Sequence, residues 1–240
     1  MKKIYLGSIN STNSWAKEHI KELEDKSVIY SFNQTSGRGR LNRSWCNLGE
    51  ENLFLSIFLK PSDSFLDIYN NLTQYLSLVL VQVFEDYGVK AQIKWPNDLK
   101  INNKKIAGIL AELATGEKGE FLGIILGVGV NLNADLTALN QVNQAATALN
   151  IELGQKIAPL DFLNKVLDKF TLAYDNFLRL GFNSIKDAYK KSLNCLGKSI
   201  RFNFFEQIIQ GTALDINDEG ALIIIDDKGE TQIFSIGEIL

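Results

Sequence analysis

A run of arginines and glycines is the first segment whose residue types are suited to chemistry. Gly37, Arg38, Gly39 and Arg40 stand together, and Arg43 follows shortly after. Guanidinium forks bind phosphate and carboxylate oxygens, and glycines let the backbone approach the same anion. A solvated basic loop or an arginine-glycine nucleic-acid tract has the same composition. This segment alone therefore leaves the small-anion site and those two alternatives open.

Residues 94–98 read Lys-Trp-Pro-Asn-Asp and place polar side chains at a predicted turn. The proline fixes the turn, while Asn97 and Asp98 carry oxygens that could cap the backbone or bind a polar ligand or a metal ion. A plain turn with Trp95 in the core has the same signature. The residue types alone favour that structural interpretation.

Lys105 stands at the entrance to a predicted strand in which Ala107 and Gly108 leave space beside the backbone. A compact ammonium group there could hold a carboxylate against a phosphate. Taken by itself, a lysine in this position is more typical of an exposed hairpin.

Residues 127–131 end a later apolar strand with two glycines and an amide. The glycines leave room for a nucleotide, and the side chain of Asn131 can hydrogen-bond a phosphate or a base. Close packing between neighbouring strands is the alternative explanation.

Charge and single residues exclude several classes of function. The net charge of −3 provides no overall positive field for nucleic acid or an anionic membrane. His19 is the only histidine and has no triad signature near it, which argues against hydrolase chemistry. Cys46 and Cys195 lack metal-site spacing, so we expect free thiols. No signal peptide or membrane span is predicted, and we expect a cytoplasmic protein.

An α+β body must position these residues. Apolar spacing predicts helices at 12–24, 66–87 and 161–180, and a shorter one that ends near 193. Strands are predicted at 3–6, 28–32, 53–59, 91–94, 99–101, 105–113 and 119–131. A long polar loop is predicted between the second and third strands, over residues 33–52. We expect the 119–131 strand to be exposed and able to pair with an acceptor domain or a second copy.

The chain after residue 194 has a different pattern. Short apolar runs alternate with turn signals at 217–220 and 226–229, which predicts a small antiparallel barrel or sheet. We therefore expect two domains, residues 1–193 and residues 194–240.

The order of the motifs resembles that of the biotin protein ligases over nearly the full chain. The matching positions are Ser11 to Asn13, Gln34, and residues 37–40, 94–98, 105–108 and 127–131. The resemblance implies a mixed-sheet α+β catalytic domain with a C-terminal SH3-like β-barrel. It also implies biotin and ATP as substrates with Mg²⁺, a lysine of a biotin carboxyl carrier protein as acceptor, and a monomer or homodimer.

The same resemblance implies roles for individual residues. Biotin would be held by Ser11, Thr12, Asn13, Gln34, Gly37, Arg38, Arg40, Lys105 and Gly108. The nucleotide would be held by Arg38, Arg40, Arg43, Trp45, Asn97, Lys105 and Asn131. Lys105, Arg40 and Asp98 would carry the catalysis, and Asp98 would also be the metal ligand. Residues 33–48, called the lid below, would fold over the adenylate and order when it binds.

Two features depart from the family pattern. Leu41 and Asn42 stand where an arginine and a glycine are often found, which affects the outer contacts of the lid but not those of the inner arginines. The chain before Lys3 leaves no room for the helix-turn-helix domain that some members carry, so we expect a ligase without DNA binding.

Three other functions remain as alternatives. A lipoate or octanoate ligase has a similar fold, but the arginine-rich lid and the β appendage favour biotin. A non-catalytic biotin or nucleotide sensor would not need Lys105. A nucleic-acid-binding module is disfavoured by the acidic balance of the chain.

Overall fold

The computed structural model describes residues 1–60, 68–140, 142 and 144–240, and the side chain of Asn42 is not described. The α-helices are α1 (Thr12–Glu18), α2 (Leu72–Asp86), α3 (Leu136–Leu139), α4 (Leu149–Leu153), α5 (Pro159–Leu180) and α6 (Lys186–Ser192). The strands are β1 (Lys3–Tyr5), β2 (Ser8–Ile9), β3 (Ser27–Ser31), β4 (Asn33–Gln34), β5 (Gly37–Arg38), β6 (Ser44–Trp45), β7 (Leu53–Leu59), β8 (Gln92–Lys94), β9 (Asp98–Ile101), β10 (Lys104–Thr115), β11 (Phe121–Val130), β12 (Ser199–Phe204), β13 (Gln207–Ile216), β14 (Leu222–Asp226), β15 (Thr231–Phe234) and β16 (Glu238–Ile239).

A mixed seven-stranded sheet forms the body, in the order β1-β3-β7-β11-β10-β9-β8. Only β1 and β3 run parallel, and the other neighbours are antiparallel. This confirms the predicted α+β class. The expected exposed strand over 119–131 is wrong, because β11 lies in the middle of the sheet. Gly129, for example, pairs with Phe54 on one side and Gly108 on the other, so no edge is left for a partner.

Helices cover both faces of this sheet. Alternate strand residues point to opposite faces, and α2 and α5 cover one face around Tyr75, Phe170 and Phe177, all fully buried. The rings of Tyr75 and Phe177 stack at 4.5 Å. The short α1 covers the other face, where Ala16 packs with Phe58. Because α1 is fixed against β7 and β11, its first residues lie at a defined place above the sheet.

Several predicted elements have different bounds. The helix expected over 12–24 ends at Glu18, and Ile20–Glu22 forms a 3₁₀ turn instead. The helix expected over 66–87 is α2, and part of its predicted start, residues 66 and 67, lies outside the described residues. The loop expected over 33–52 contains three short strands: β4 pairs with β2, and β5 pairs with β6. Helices α3 and α4 were not predicted.

The C-terminal sheet has the order β15-β14-β13-β12-β16 and is entirely antiparallel. This confirms a small β unit. In the described part of the chain no pairing joins β15 to β16, so the sheet is open and not a hydrogen-bonded barrel. It packs on the body, with Trp95 and Phe202 at 5.8 Å between ring centres. The domain boundary at 194 stays a prediction. Among the described residues, none of the helices has the length and apolar character needed to cross a membrane.

Candidate active site

Two cavities meet where the lid lies against β10 and β11. The smaller, of about 30 Å³, is lined by Ser11, Thr12, Asn13, Gln34 and the glycines of β11, among others. The larger, of about 140 Å³, is lined by Arg40, Arg43, Asn97, Asp98, Lys105 and Asn131, among others. Both share Arg38, Trp45 and Gly108. The structure thus brings every predicted site residue except Gly37 to the wall of one cavity or the other.

Local folding explains the polar wall of the smaller cavity. Ser11 caps α1 by accepting a hydrogen bond from the backbone N–H of Ser14, which places Thr12 at the first turn. The parallel pairing of β2 with β4 sets Gln34 beside this turn, and its Oε1 accepts from the backbone N–H of Thr12 at 2.9 Å. Ser56 of β7 lies beneath, with Oγ 2.8 Å from Thr12 Oγ1. The sequence analysis missed Ser56 because it lies within an apolar strand.

Trp45 occupies the junction of the two cavities. Glycines make room for it: a Cβ built on Gly37, Gly108 or Gly129 would lie 2.7 Å from an atom of this tryptophan. The Nζ of Lys105 lies 5.2 Å from the centre of the ring, which is cation–π distance. The smaller cavity has room for only about two water molecules. A larger ligand would therefore displace part of this wall, and the indole is the bulky side chain at the junction.

A partly buried ion pair lines the larger cavity. Lys105 Nζ is 2.8 Å from Asp98 Oδ1, and the two side chains are only 16% and 17% exposed. Antiparallel pairing of β9 with β10 sets Asp98 opposite Gly108, and the missing side chain of Gly108 leaves space for both partners: a Cβ built there would lie 3.1 Å from Lys105 Cε and 3.2 Å from Asp98 Oδ1. The exposed hairpin lysine considered for Lys105 is therefore wrong. Removing either partner would leave the other charge partly buried and unpaired.

Arg40 links the two sheets. Its guanidinium donates to Asn97 Oδ1 and to the backbone carbonyl of Gly237, each at 3.0 Å. Burial lowers the pKa of Arg40, although the negative charges of Glu238 and Asp98 act in the other direction and raise it. Asn97 is held in turn by donating to the carbonyl of Ile109 at 2.7 Å. Arg40 therefore has a fixed position between the body and the C-terminal sheet.

Glu238 is a second site residue that the sequence analysis missed. It belongs to β16, yet its carboxylate accepts hydrogen bonds from both terminal nitrogens of Arg43, at 2.7 and 2.6 Å. The hydrogen bond from Arg43 holds the pKa of Glu238 below its usual range, although burial acts to raise it. No sequence spacing links residues 43 and 238, so only the docked C-terminal sheet reveals this contact.

We expect Glu238→Gln to raise the KM for ATP, the nucleotide that the family resemblance implies, about three- to tenfold, because Arg43 loses the charged partner that orders it. The turnover number should change by less than about twofold, since the Glu238 carboxylate is paired with Arg43, whereas the Lys105 ammonium is paired with Asp98. Steady-state kinetics with varied ATP measure both values. Glu230→Gln, on the exposed turn of the same sheet, is the control. An unchanged KM for ATP would show that Arg43 needs no such ordering.

Asn131 and the metal candidate have defined partners. Asn131 is buried and donates to the carbonyl of Thr147 at 3.0 Å.

Among the described residues no three carboxylate, histidine or cysteine side chains cluster as a metal site. Asp98 and Glu238 line the larger cavity, each paired with a cation. Mg²⁺ usually binds through substrate phosphates and one or two carboxylates, and these two residues suit that mode.

Family comparisons match both parts of the chain. Residues 5–131 match the sequence model described as "Biotin/lipoate A/B protein ligase family". Residues 195–240 match the model described as "Biotin protein ligase C terminal domain".

Individual proteins match over most of their length. The "Bifunctional ligase/repressor BirA" of Bacillus spizizenii is 31% identical over 97% of this chain and 72% of its own. The "Biotin--[acetyl-CoA-carboxylase] ligase" of Paracoccus denitrificans is 26% identical over 98% of both chains. A biotin protein ligase from Aquifex aeolicus, solved in complex with biotin and ATP, superposes with a TM-score of 0.84 at 26% identity. That comparison covers 100% of this chain and 97% of the other.

Proposed function

Because this chain belongs to the biotin/lipoate A/B protein ligase family, we propose that it activates biotin as biotinyl-AMP and transfers the biotinyl group to a lysine of a carrier protein. Family membership and the similarity to named biotin ligases make it a ligase enzyme. The C-terminal match to the biotin ligase domain favours biotin over lipoate.

The position of Lys105 is the observation that carries this proposal. Its ammonium group lies against Trp45 and Asp98, where the small polar cavity meets the larger cationic one. A ligand held by Thr12 and Gln34 would direct its tail toward this junction. A nucleotide among the arginines would bring its phosphates to the same place. Lys105 would then stand between two anions, where a compact cation is needed.

In the first step, a carboxylate oxygen of biotin attacks the α-phosphorus of ATP, and pyrophosphate leaves. Two negatively charged groups must approach, so Lys105, Arg38 and Arg40 would reduce their repulsion and stabilise the charge of the transition state. Mg²⁺, which the phosphates and Asp98 would hold, would supply further positive charge.

In the second step, the amine of the acceptor lysine attacks the acyl carbon of the mixed anhydride, and AMP leaves. The amine must lose a proton. Asp98 is the proposed group that orients this amine or accepts its proton, once Lys105 has turned toward the anions. Closure of the lid would keep water from the anhydride between the two steps.

We expect the lid to be cleaved more slowly by a protease when biotin and ATP are both present. Trp45 lines both cavities; we expect it to move aside as ligands enter and then to close over them, which protects the surrounding backbone. Limited proteolysis, with cleavage sites within residues 33–48 identified by mass spectrometry, measures this. Equal cleavage rates with and without both ligands would contradict the closing lid. Lipoate with ATP serves as the control.

Transfer is tested with a purified biotin carboxyl carrier protein, ATP, Mg²⁺ and either biotin or lipoate. The proposal predicts that one lysine of the carrier gains a biotinyl group and that lipoate gives no product. Modification by lipoate in preference to biotin would support the related lipoate activity and overturn the biotin assignment.

A further inference from the structure

A carboxylate outside both cavities holds residues of the pocket wall. Glu112 of β10 accepts from Lys17 Nζ at 2.7 Å and from Asn13 Nδ2 at 2.8 Å, and it forms an ion pair with Arg38. Its side chain is only 13% exposed. Asn13 and Arg38 line the smaller cavity, and Glu112 stands behind them.

Hydrogen bonds continue inward from Glu112. Asn13 Oδ1 lies 2.5 Å from Ser56 Oγ, and Ser56 Oγ lies 2.8 Å from Thr12 Oγ1. Thr12 is at the cavity wall. The series Glu112, Asn13, Ser56 and Thr12 is called the relay below.

When Glu112 is ionised, the donor and the acceptor of each hydrogen bond in the relay are fixed. A carboxylate only accepts, so Asn13 must turn its Nδ2 toward Glu112 and its Oδ1 toward Ser56. Ser56 has a single proton and must donate it to Asn13. In the 2.8 Å hydrogen bond between the two hydroxyls, Thr12 Oγ1 must then be the donor and Ser56 Oγ the acceptor. The remaining lone pairs of Thr12 Oγ1 are left for a ligand.

The distances disfavour the alternative arrangement, in which Thr12 Oγ1 donates to Gln34 instead of Ser56. If Thr12 donated to Gln34 Oε1, that bond would be long, at 3.4 Å, and this oxygen already accepts the Thr12 backbone N–H. The two hydroxyl oxygens at 2.8 Å would then face each other without a proton. Hydrogen bonds from Lys17 and Asn13, with the charges of Lys17 and Arg38, outweigh burial and hold the pKa of Glu112 below its usual range. Glu112 is therefore ionised at neutral pH.

We propose that Glu112 is a positioning residue that fixes the relay and so makes Thr12 Oγ1 a dedicated acceptor for an N–H of the ligand. This inference rests on the proposed function, since the ureido group of biotin offers N–H donors of this kind. A site built to accept an N–H rejects a ligand that presents an oxygen there, because two acceptors then face each other. Selectivity for a cyclic urea thus depends on a carboxylate that never touches it.

The test compares biotin with two isosteric analogues, in each of which one ureido N–H is replaced by oxygen. Calorimetry gives the affinity of each for the wild-type protein. We expect one analogue to bind roughly a hundredfold more weakly than biotin, because two acceptors then face each other without a proton. In Glu112→Gln the amide can donate as well as accept, so Asn13 is held in its present orientation only by the long 3.4 Å contact of Nδ2 with the carbonyl of Leu110. Asn13 can then reverse and Thr12 can donate, so this preference should fall below about tenfold. Failure of the wild-type protein to bind biotin would refute the proposed function instead.

Two further variants separate positioning from damage to the fold. Ser56→Ala breaks the relay without touching Glu112 and should relax the preference to the same extent. Glu117→Gln removes the exposed pair with Lys21 at the end of the same strand pair and should leave the preference at the wild-type value. A merely structural role would weaken biotin and analogue equally. A preserved hundredfold preference in Glu112→Gln and Ser56→Ala would overturn the proposal.

Discussion

Replacing Lys105 by glutamine is expected to slow biotin-dependent pyrophosphate release by on the order of 10²-fold or more, roughly 3 kcal/mol of transition-state stabilisation. Glutamine keeps most of the side-chain length but removes the charge that would stand between the carboxylate and the α-phosphate. Pyrophosphate release measured under saturating substrates gives the value. Lys104→Gln, at the exposed neighbouring position, is the matched control and should behave as the wild type.

Loss of the ion pair with Asp98 should also lower stability, by about 1 kcal/mol, because the amide of glutamine can still donate to the carboxylate. The double variant Lys105→Gln, Asp98→Asn should recover this stability because no unpaired charge remains. It should not recover turnover. If pyrophosphate release by Lys105→Gln stays within about threefold of the wild type, Lys105 has no part in the adenylation step.

Arg40→Met is expected to reduce both turnover and stability. The side chain holds Asn97 and the carbonyl of Gly237, so its loss leaves two acceptors unpaired and loosens the C-terminal sheet from the body. We expect about 1–3 kcal/mol of stability to be lost. The rate of adenylation should fall on the order of 10²-fold, since a preorganised cation is removed.

Arg40→Lys separates the two effects. It retains a charge but cannot present two fixed donors, so we expect turnover between those of the wild type and Arg40→Met. Arg179→Met is the control, since this arginine is exposed and its side chain donates to Asn176 within α5. Thermal unfolding and pyrophosphate release measure the two quantities. Wild-type turnover in Arg40→Met would exclude Arg40 from the site.

Local patterns predicted the elements that make up the body well. The strand over 53–59 was predicted at its observed bounds, because it is a continuous apolar run that is buried on both faces. The end of α1 was not, since Ile20 and Leu23 continue the helical spacing of apolar residues while the chain tightens into a 3₁₀ turn. The short strands of the lid escaped prediction because each has two residues and depends on a distant partner.

Residues that line the candidate site could be predicted where they belong to a short sequence motif of reactive or ligand-binding residue types. Lys105, Arg38 and Asn97 were found from their types and from the family resemblance. Glu238 and Ser56 were not, because their contacts join segments far apart in the chain. The exposed edge expected for β11 failed for a related reason: an apolar run does not reveal which strands will lie on either side.

The most direct test of the proposed function is pyrophosphate release by the purified protein with ATP and Mg²⁺, in the presence and absence of biotin. We expect release that depends on biotin and that does not occur when lipoate replaces biotin, with biotinyl-AMP as the product detected by mass spectrometry. Release at the same rate without biotin, or none with it, would contradict it.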